Sequence, residues 1–181
     1  PNFSKLHKKD EVYFLFKEMI KSLDTFYILA KARYNSTWQT WRHIVNIPYH
    51  DTIVDELNKK LKEANYLENK LIEIYHRAIV LIQNQYSNQD YKEYETLKRL
   101  INKHRDLAAP SEKVLLYELL INYAGLKFNN GIKRFAKEAW LLYRYGLKHK
   151  ILTHDGYLPN GHFNNILHSG LNIEINKIEW L

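Results

Sequence analysis

The chain has 181 residues, 45% hydrophobic and 26% charged, with a formal charge of +7 and a pI near 9.3, long enough to bury a substantial core as one domain or one stretch of a repeat array. It has no Cys, which excludes disulfides, thiolate zinc sites and a cysteine nucleophile and fits a reducing cytoplasm, the expected location. Six Gly and four Pro leave few breaks for hairpins or glycine-rich loops, so the composition reads as all-α.

Apolar residues recur at helical spacing along nearly the whole chain, and punctuation divides it into about eight or nine helices. A long helix beginning near Ser22 ends at "NIPYHD", where Asp51 is placed to cap the next helix through its carboxylate. A turn near "NYLEN" leads into a helix from about Glu68 to Gln85, and after "YSNQD" another runs from about Asp90 to Lys103. "APSEK" presents Pro110 and Ser111, the latter as N-cap of a helix reaching Phe128.

That helix is apolar almost all round from Val114 onward, as a central, buried helix must be, and Ala124 with Gly125 offers a place for a neighbour to approach closely. Its longest run, "VLLYELLINYAGL", is broken by Glu118 and Asn122, short of the roughly 18 to 20 residues that a membrane helix requires. No transmembrane segment is expected, and the opening "PNFSKLHKKDEVYF" has no secretory leader pattern.

"NNG" at Asn129 to Gly131 is a stop and restart, followed by a helix to about Lys148. At 100° per residue, Phe135, Ala136, Ala139, Trp140, Leu142, Tyr143, Gly146 and Leu147 fall on an apolar arc of roughly 160°. Lys133, Lys137, Arg144 and Lys148 gather on the other side within about 60° of one another. "HDGYLPNG" is the longest break, then come a short helix from about Gly161 to His168 and the start of another near Ile175.

Paired, the helices give units near 51–86, 90–129 and 131–169, a period close to forty residues that fits helix-hairpin repeats of the tetratricopeptide-like or HEAT-like kind. The fold expected is an α-α superhelix, a right-handed solenoid of antiparallel hairpins forming one domain over 1–181. The last residues, "KIEWL", read as the first turns of an unfinished helix, so a fragment of a longer chain is expected.

Three constellations were weighed for chemistry. "HRDLAAP", His104 to Pro110, opens like a protein-kinase catalytic loop, but the position five residues after Asp106 holds Ser111 where magnesium needs Asn. The glycine-rich loop, strand lysine and D-F-G are absent too, so Lys103, His104 and Arg105 read as cations at the negative end of a helix. His149, His154, His162 and His168 with Asp155 lack the H-E-x-x-H or i,i+4 spacing of metal ligands; an enzyme assembled from His154, Asp155 and His162 is the third-ranked reading. The basic row Lys133, Lys137, Arg144 and Lys148, extended by Lys150 with Arg134 and Tyr145 beside it, has the charge to follow phosphates or to meet an acidic partner. The large aromatic load reads mostly as core, Trp38 and Trp41 included.

"LDTFYILAKARY" (Leu23 to Tyr34) and "GYLPNGHFNNILHSGL" (Gly156 to Leu171), with the later Glu179 and Trp180, resemble segments of large bacterial proteins built of tetratricopeptide-like helical repeats. The resemblance implies an α-α superhelix and carries no catalytic residues; the strict W-x-x-L-G-x-x-Y consensus is absent here. The functional expectation is a non-catalytic scaffold without cofactor or metal that binds a protein or peptide, with a nucleic-acid-binding helical repeat as the alternative.

Overall fold

The structure is a computed structural model that describes residues 3–45, 52–63, 65–84, 90–153 and 155–173. Among these it is all-helical, with no strand. In chain order the α-helices are α1 (Phe3–Val45), α2 (Thr52–Glu63), α3 (Lys70–Gln83), α4 (Asp90–His104), α5 (Pro110–Asn129), α6 (Arg134–Lys148) and α7 (Asn160–Leu171), with 3-10 turns at Asn65–Glu68 and Arg105–Leu107.

Seven α-helices among the described residues, rather than eight or nine, follow mainly from the first. No Gly or Pro interrupts 3–45, so the helix expected to begin near Ser22 is one continuous 43-residue element. Its polar run is absorbed because the side chains bond back to the preceding turn: Asn35 Nδ2 to the Lys31 carbonyl at 2.9 Å, Ser36 Oγ to Arg33 at 2.8 Å, Thr40 Oγ1 to Ser36 at 2.9 Å. The helix expected near Ile175 and the Asp51 cap lie outside the described residues.

Local chemistry sets the other boundaries. Asn69 caps α3, its Oδ1 accepting from the N–H groups of Leu71 and Ile72 at 3.1 and 3.3 Å. At α5 the expected cap is displaced: Ala109 is the cap residue and Pro110 occupies the first helical position, which puts Ser111 inside the first turn. Proline fits there because its missing N–H would have had no helical partner and its φ is already helical. Beyond α6, Lys150 takes φ +54° and lets the Ile151 N–H return to the Gly146 carbonyl at 2.8 Å, closing the helix end.

The buried side chains form one cluster drawing on α1 through α6 and on Leu152. The α1 helix reaches it through Ile28 and Ala32 and lies against both α3 and α5, while α3 packs on α4, α5 on α6, and α6 on α7. As its composition predicts, α5 is central: Leu116, Leu119, Leu120, Ile121, Tyr123 and Ala124 are all buried. Its buried Glu112 accepts a hydrogen bond from the Tyr75 hydroxyl at 3.0 Å, tying α5 to α3. Burial, reinforced by that carboxylate, raises the Tyr75 pKa above its usual range.

An aromatic knot joins α4, α5 and α6. Phe135 meets Tyr91, Tyr94 and Tyr123 edge-on at 5.3 to 6.0 Å between centroids, and Tyr94 stacks on Tyr123 at 5.6 Å. Such edge-to-face and offset pairs each add about 0.5–1.5 kcal/mol beyond the area they bury.

Close approach falls at a different glycine from the one expected. Gly125 has open space where a Cβ would sit, whereas Leu152 packs directly on Gly146. Trp38 and Trp41 are also not core: they remain 40% and 55% exposed. The packed side of α1 carries Ile28, Ala32, Asn35, Ser36 and Gln39, and the two indoles are turned roughly 100° or more from its centre. Among the described residues, no helix is long and apolar enough to cross a membrane.

Candidate functional site

The α6 helix buries Phe135, Ala136, Ala139, Leu142, Tyr143 and Gly146, with Trp140 and Leu147 half-buried, which is the apolar arc its sequence predicts. The fixed arc determines the opposite side. Lys137, Arg144 and Lys148 are exposed along the helix and Lys133 is exposed at its N-cap, giving a row about 22 Å long at 1.5 Å per residue. Arg144 lies 5.4 Å from the centre of the Trp140 ring, a cation–π contact. None of the four joins an ion pair among the described residues.

The groups placed beside this row by sequence reasoning do not join it. Arg134, though exposed, lies over the rings of Tyr91 at 4.0 Å and Phe135. Tyr145 stacks flat on Tyr117 at 5.4 Å and accepts a hydrogen bond from Arg105 Nη1 at 2.6 Å, so its ring is unavailable to a base. Glu138, the one carboxylate on α6, turns away to half-buried Lys98 at 2.6 Å, which also meets Glu95 at 2.6 Å. Burial works against the Lys98 ammonium, but the two carboxylates outweigh it and raise its pKa above the ordinary value.

The other constellations are dispersed. His149 packs on Tyr145 at 4.1 Å, His168 against Phe128 at 5.2 Å, and His162 edge-on to Tyr143 at 5.7 Å with Nε2 3.7 Å from Glu118 Oε1. His154 is outside the described residues, and Asp155 with Gly156 forms an exposed turn at φ +50° and +82°. Among the described residues no three His, Cys, Asp or Glu side chains gather to hold a metal ion. Asp106 of "HRDLAAP" sits exposed in the 3-10 turn that ends α4.

Among the described residues two clefts bear on a candidate site. One of about 670 Å³ beside α3 is lined by Leu61, Leu67, Glu73, His76, Arg77 and Glu93 among others. Two of its three carboxylates are already paired, Glu73 with Lys70 at 2.9 Å and Arg77 at 3.1 Å and Glu93 with Arg77 at 3.6 Å, while Glu68 is exposed at its rim. Burial would raise the Glu73 pKa, but hydrogen bonds from Lys70 and Arg77 prevail and hold it below its usual range, which suits an ion-pair anchor rather than a proton carrier. A second cleft of about 320 Å³ lies between α5, α6 and α7, with Gly125, Phe128, Tyr143 and His168 in its wall.

A broad exposed apolar surface among the described residues is one that sequence reasoning passed over. On α1, ten large apolar side chains between Val12 and Trp41 are at least half exposed within an arc of about 140°, on the side away from the core. The signal was available in the alternating four- and three-residue spacing of Val12, Phe16, Met19, Leu23, Phe26 and Ala30. No family model, curated protein or solved structure matches the chain.

Proposed function

We propose that the chain is a non-catalytic helical scaffold, a tetratricopeptide-like α-α superhelix of cytoplasmic location, that binds an acidic protein or peptide along the outer side of α6. One observation carries this reading: Lys133, Lys137, Arg144 and Lys148 stand exposed in a single row with no carboxylate partner among the described residues, while Glu73, Glu95 and Glu138 are all paired elsewhere. An acidic helix or extended segment supplies the missing countercharges, and Trp140 beneath Arg144 offers a ring edge for its apolar residues. The packing of α6 on α7, the hairpin of the unit at 131–169, supports the hairpin-array reading.

A nucleic-acid ligand is the second reading, favoured by the same charges. It is ranked lower because the Tyr145 ring is taken up by Tyr117 and the face of Trp140 by Arg144, leaving little stacking platform for unpaired bases. Fluorescence anisotropy with a labelled glutamate-rich peptide and with single- and double-stranded oligonucleotides, across a salt series, separates the two. The peptide should bind, and Lys137→Glu with Arg144→Glu should weaken it at least about tenfold. Tighter binding of oligonucleotides with a steep salt slope would replace this reading with the second, and binding of neither would overturn both.

A further inference from the structure

We infer that α1 pairs antiparallel with α1 of a second copy of this chain, making the protein a homodimer. The inference stands on a different element from the α6 row and does not depend on it.

The buried positions of α1 begin at Ile28 and Lys60 of α2 lies over the Tyr27 ring, so the stretch from Asp10 to Phe26 projects from the body as a helical arm about 25 Å long. The exposed stripe runs along that arm and continues past it on the outer side of the docked half, as far as Trp41. Exposed apolar patches beyond a few hundred Å² mark interaction surfaces. Ten side chains of about 150–250 Å² each, half or more exposed, leave roughly 1,000 Å² uncovered. Two copies covering most of each other's stripe would bury roughly 1,600 Å² in total, the size of an ordinary stable interface.

The spacing selects a helix as the occupant. Apolar residues alternating at four and three positions make a seam of knobs for the holes of a facing helix, whereas a lipid surface needs a polar side rich in Lys and Arg. The arm instead mixes its charges: Asp10, Glu11, Glu18 and Asp24 alternate with Lys17 and Lys21, and Lys5, Lys8 and Lys9 precede them in the same helix.

Charge then selects both the copy and its direction. The docked stretch, 28–42, carries Lys31, Arg33 and Arg42 and no carboxylate, so antiparallel pairing lays the net-acidic stretch 10–27 of each α1 on the basic stretch of the other. Centred between Phe26 and Tyr27, it sets Val12 opposite Trp41, Met19 opposite Tyr34 and Leu23 opposite Ala30, large against small at the ends and near the middle.

The test is sedimentation equilibrium of the full chain beside Leu23→Glu, which changes a residue 60% exposed on the arm and touches no core position. The native chain should sediment at twice its 21.8 kDa. The variant should dissociate at least roughly 100-fold more readily while keeping the same helical circular dichroism and melting temperature. Because the chain has no Cys, Val12→Cys and Trp41→Cys proteins can be oxidised separately and mixed. Cross-linking only in the mixture supports the antiparallel pair, and cross-linking of Val12→Cys to itself overturns it. A native chain that is monomeric at all concentrations, or that is monomeric and binds anionic vesicles through α1, overturns the dimer.

Discussion

Replacing Gly146 by Ala tests whether the junction after α6 is as tight as its geometry requires. A Cβ built there falls 2.5 Å from Leu152 Cδ1 and 2.7 Å from Cγ, so the whole isobutyl group must move; Leu152 is 1% exposed and can move only by displacing core neighbours. Overpacking of this kind costs about 1–3 kcal/mol. The helix gains about 1 kcal/mol from exchanging Gly for Ala, so the net loss is about 1 kcal/mol. In a chain of this size that lowers the melting temperature by about 2–4 °C. Gly125→Ala is the internal control: nothing lies within 4 Å of its Cβ, so only the propensity gain of about 1 kcal/mol remains and stability should rise. Urea denaturation followed at 222 nm measures both variants side by side. If Gly146→Ala matched or exceeded Gly125→Ala, the packing of Leu152 on α6 would be refuted.

Two further outcomes follow from buried polar groups. Glu73 has a depressed folded-state pKa, so its contribution is complete above the ordinary value of 4.5 and is lost as the pH falls through the lowered one; Glu73→Gln should therefore flatten the acid limb of stability between pH 6 and 3, measured by urea melts at each pH. The hydroxyls of Tyr94 and Tyr123 are buried without a hydrogen-bond partner among the described residues, so Tyr94→Phe or Tyr123→Phe should be neutral or stabilising by up to about 1 kcal/mol in thermal melts. A loss of more than about 1 kcal/mol in either would mean that the hydroxyl is satisfied.

What could be read from the sequence depended on how local the cause was. The buried arc of α6 and the all-round burial of α5 follow from the 3.6-residue period alone, and the start of α3 and the end of α4 fall within two residues of their punctuation. The length of α1 was hidden because Ser22 looks like a helix start until its Oγ is seen bonding to the Glu18 carbonyl one turn earlier. The ring contacts that hold Arg134 and Tyr145 depend on partners 43 and 28 residues away, Tyr91 and Tyr117, which no spacing rule connects. The same holds for Gly146: its smallness matters because of the loop that returns after Lys150, whereas Gly125, beside Ala124, looked the better candidate and faces open space.

The placement of the indole rings has a practical consequence. Trp38 and Trp41 lie on the outer side of α1 and Trp140 lies under Arg144 on α6, whereas Tyr75, Tyr94, Tyr123 and Tyr143 fill the interior. Among the described residues, tryptophan emission thus follows what touches the outer sides of α1 and α6, while the near-ultraviolet dichroism of the four buried tyrosines follows the integrity of the centre.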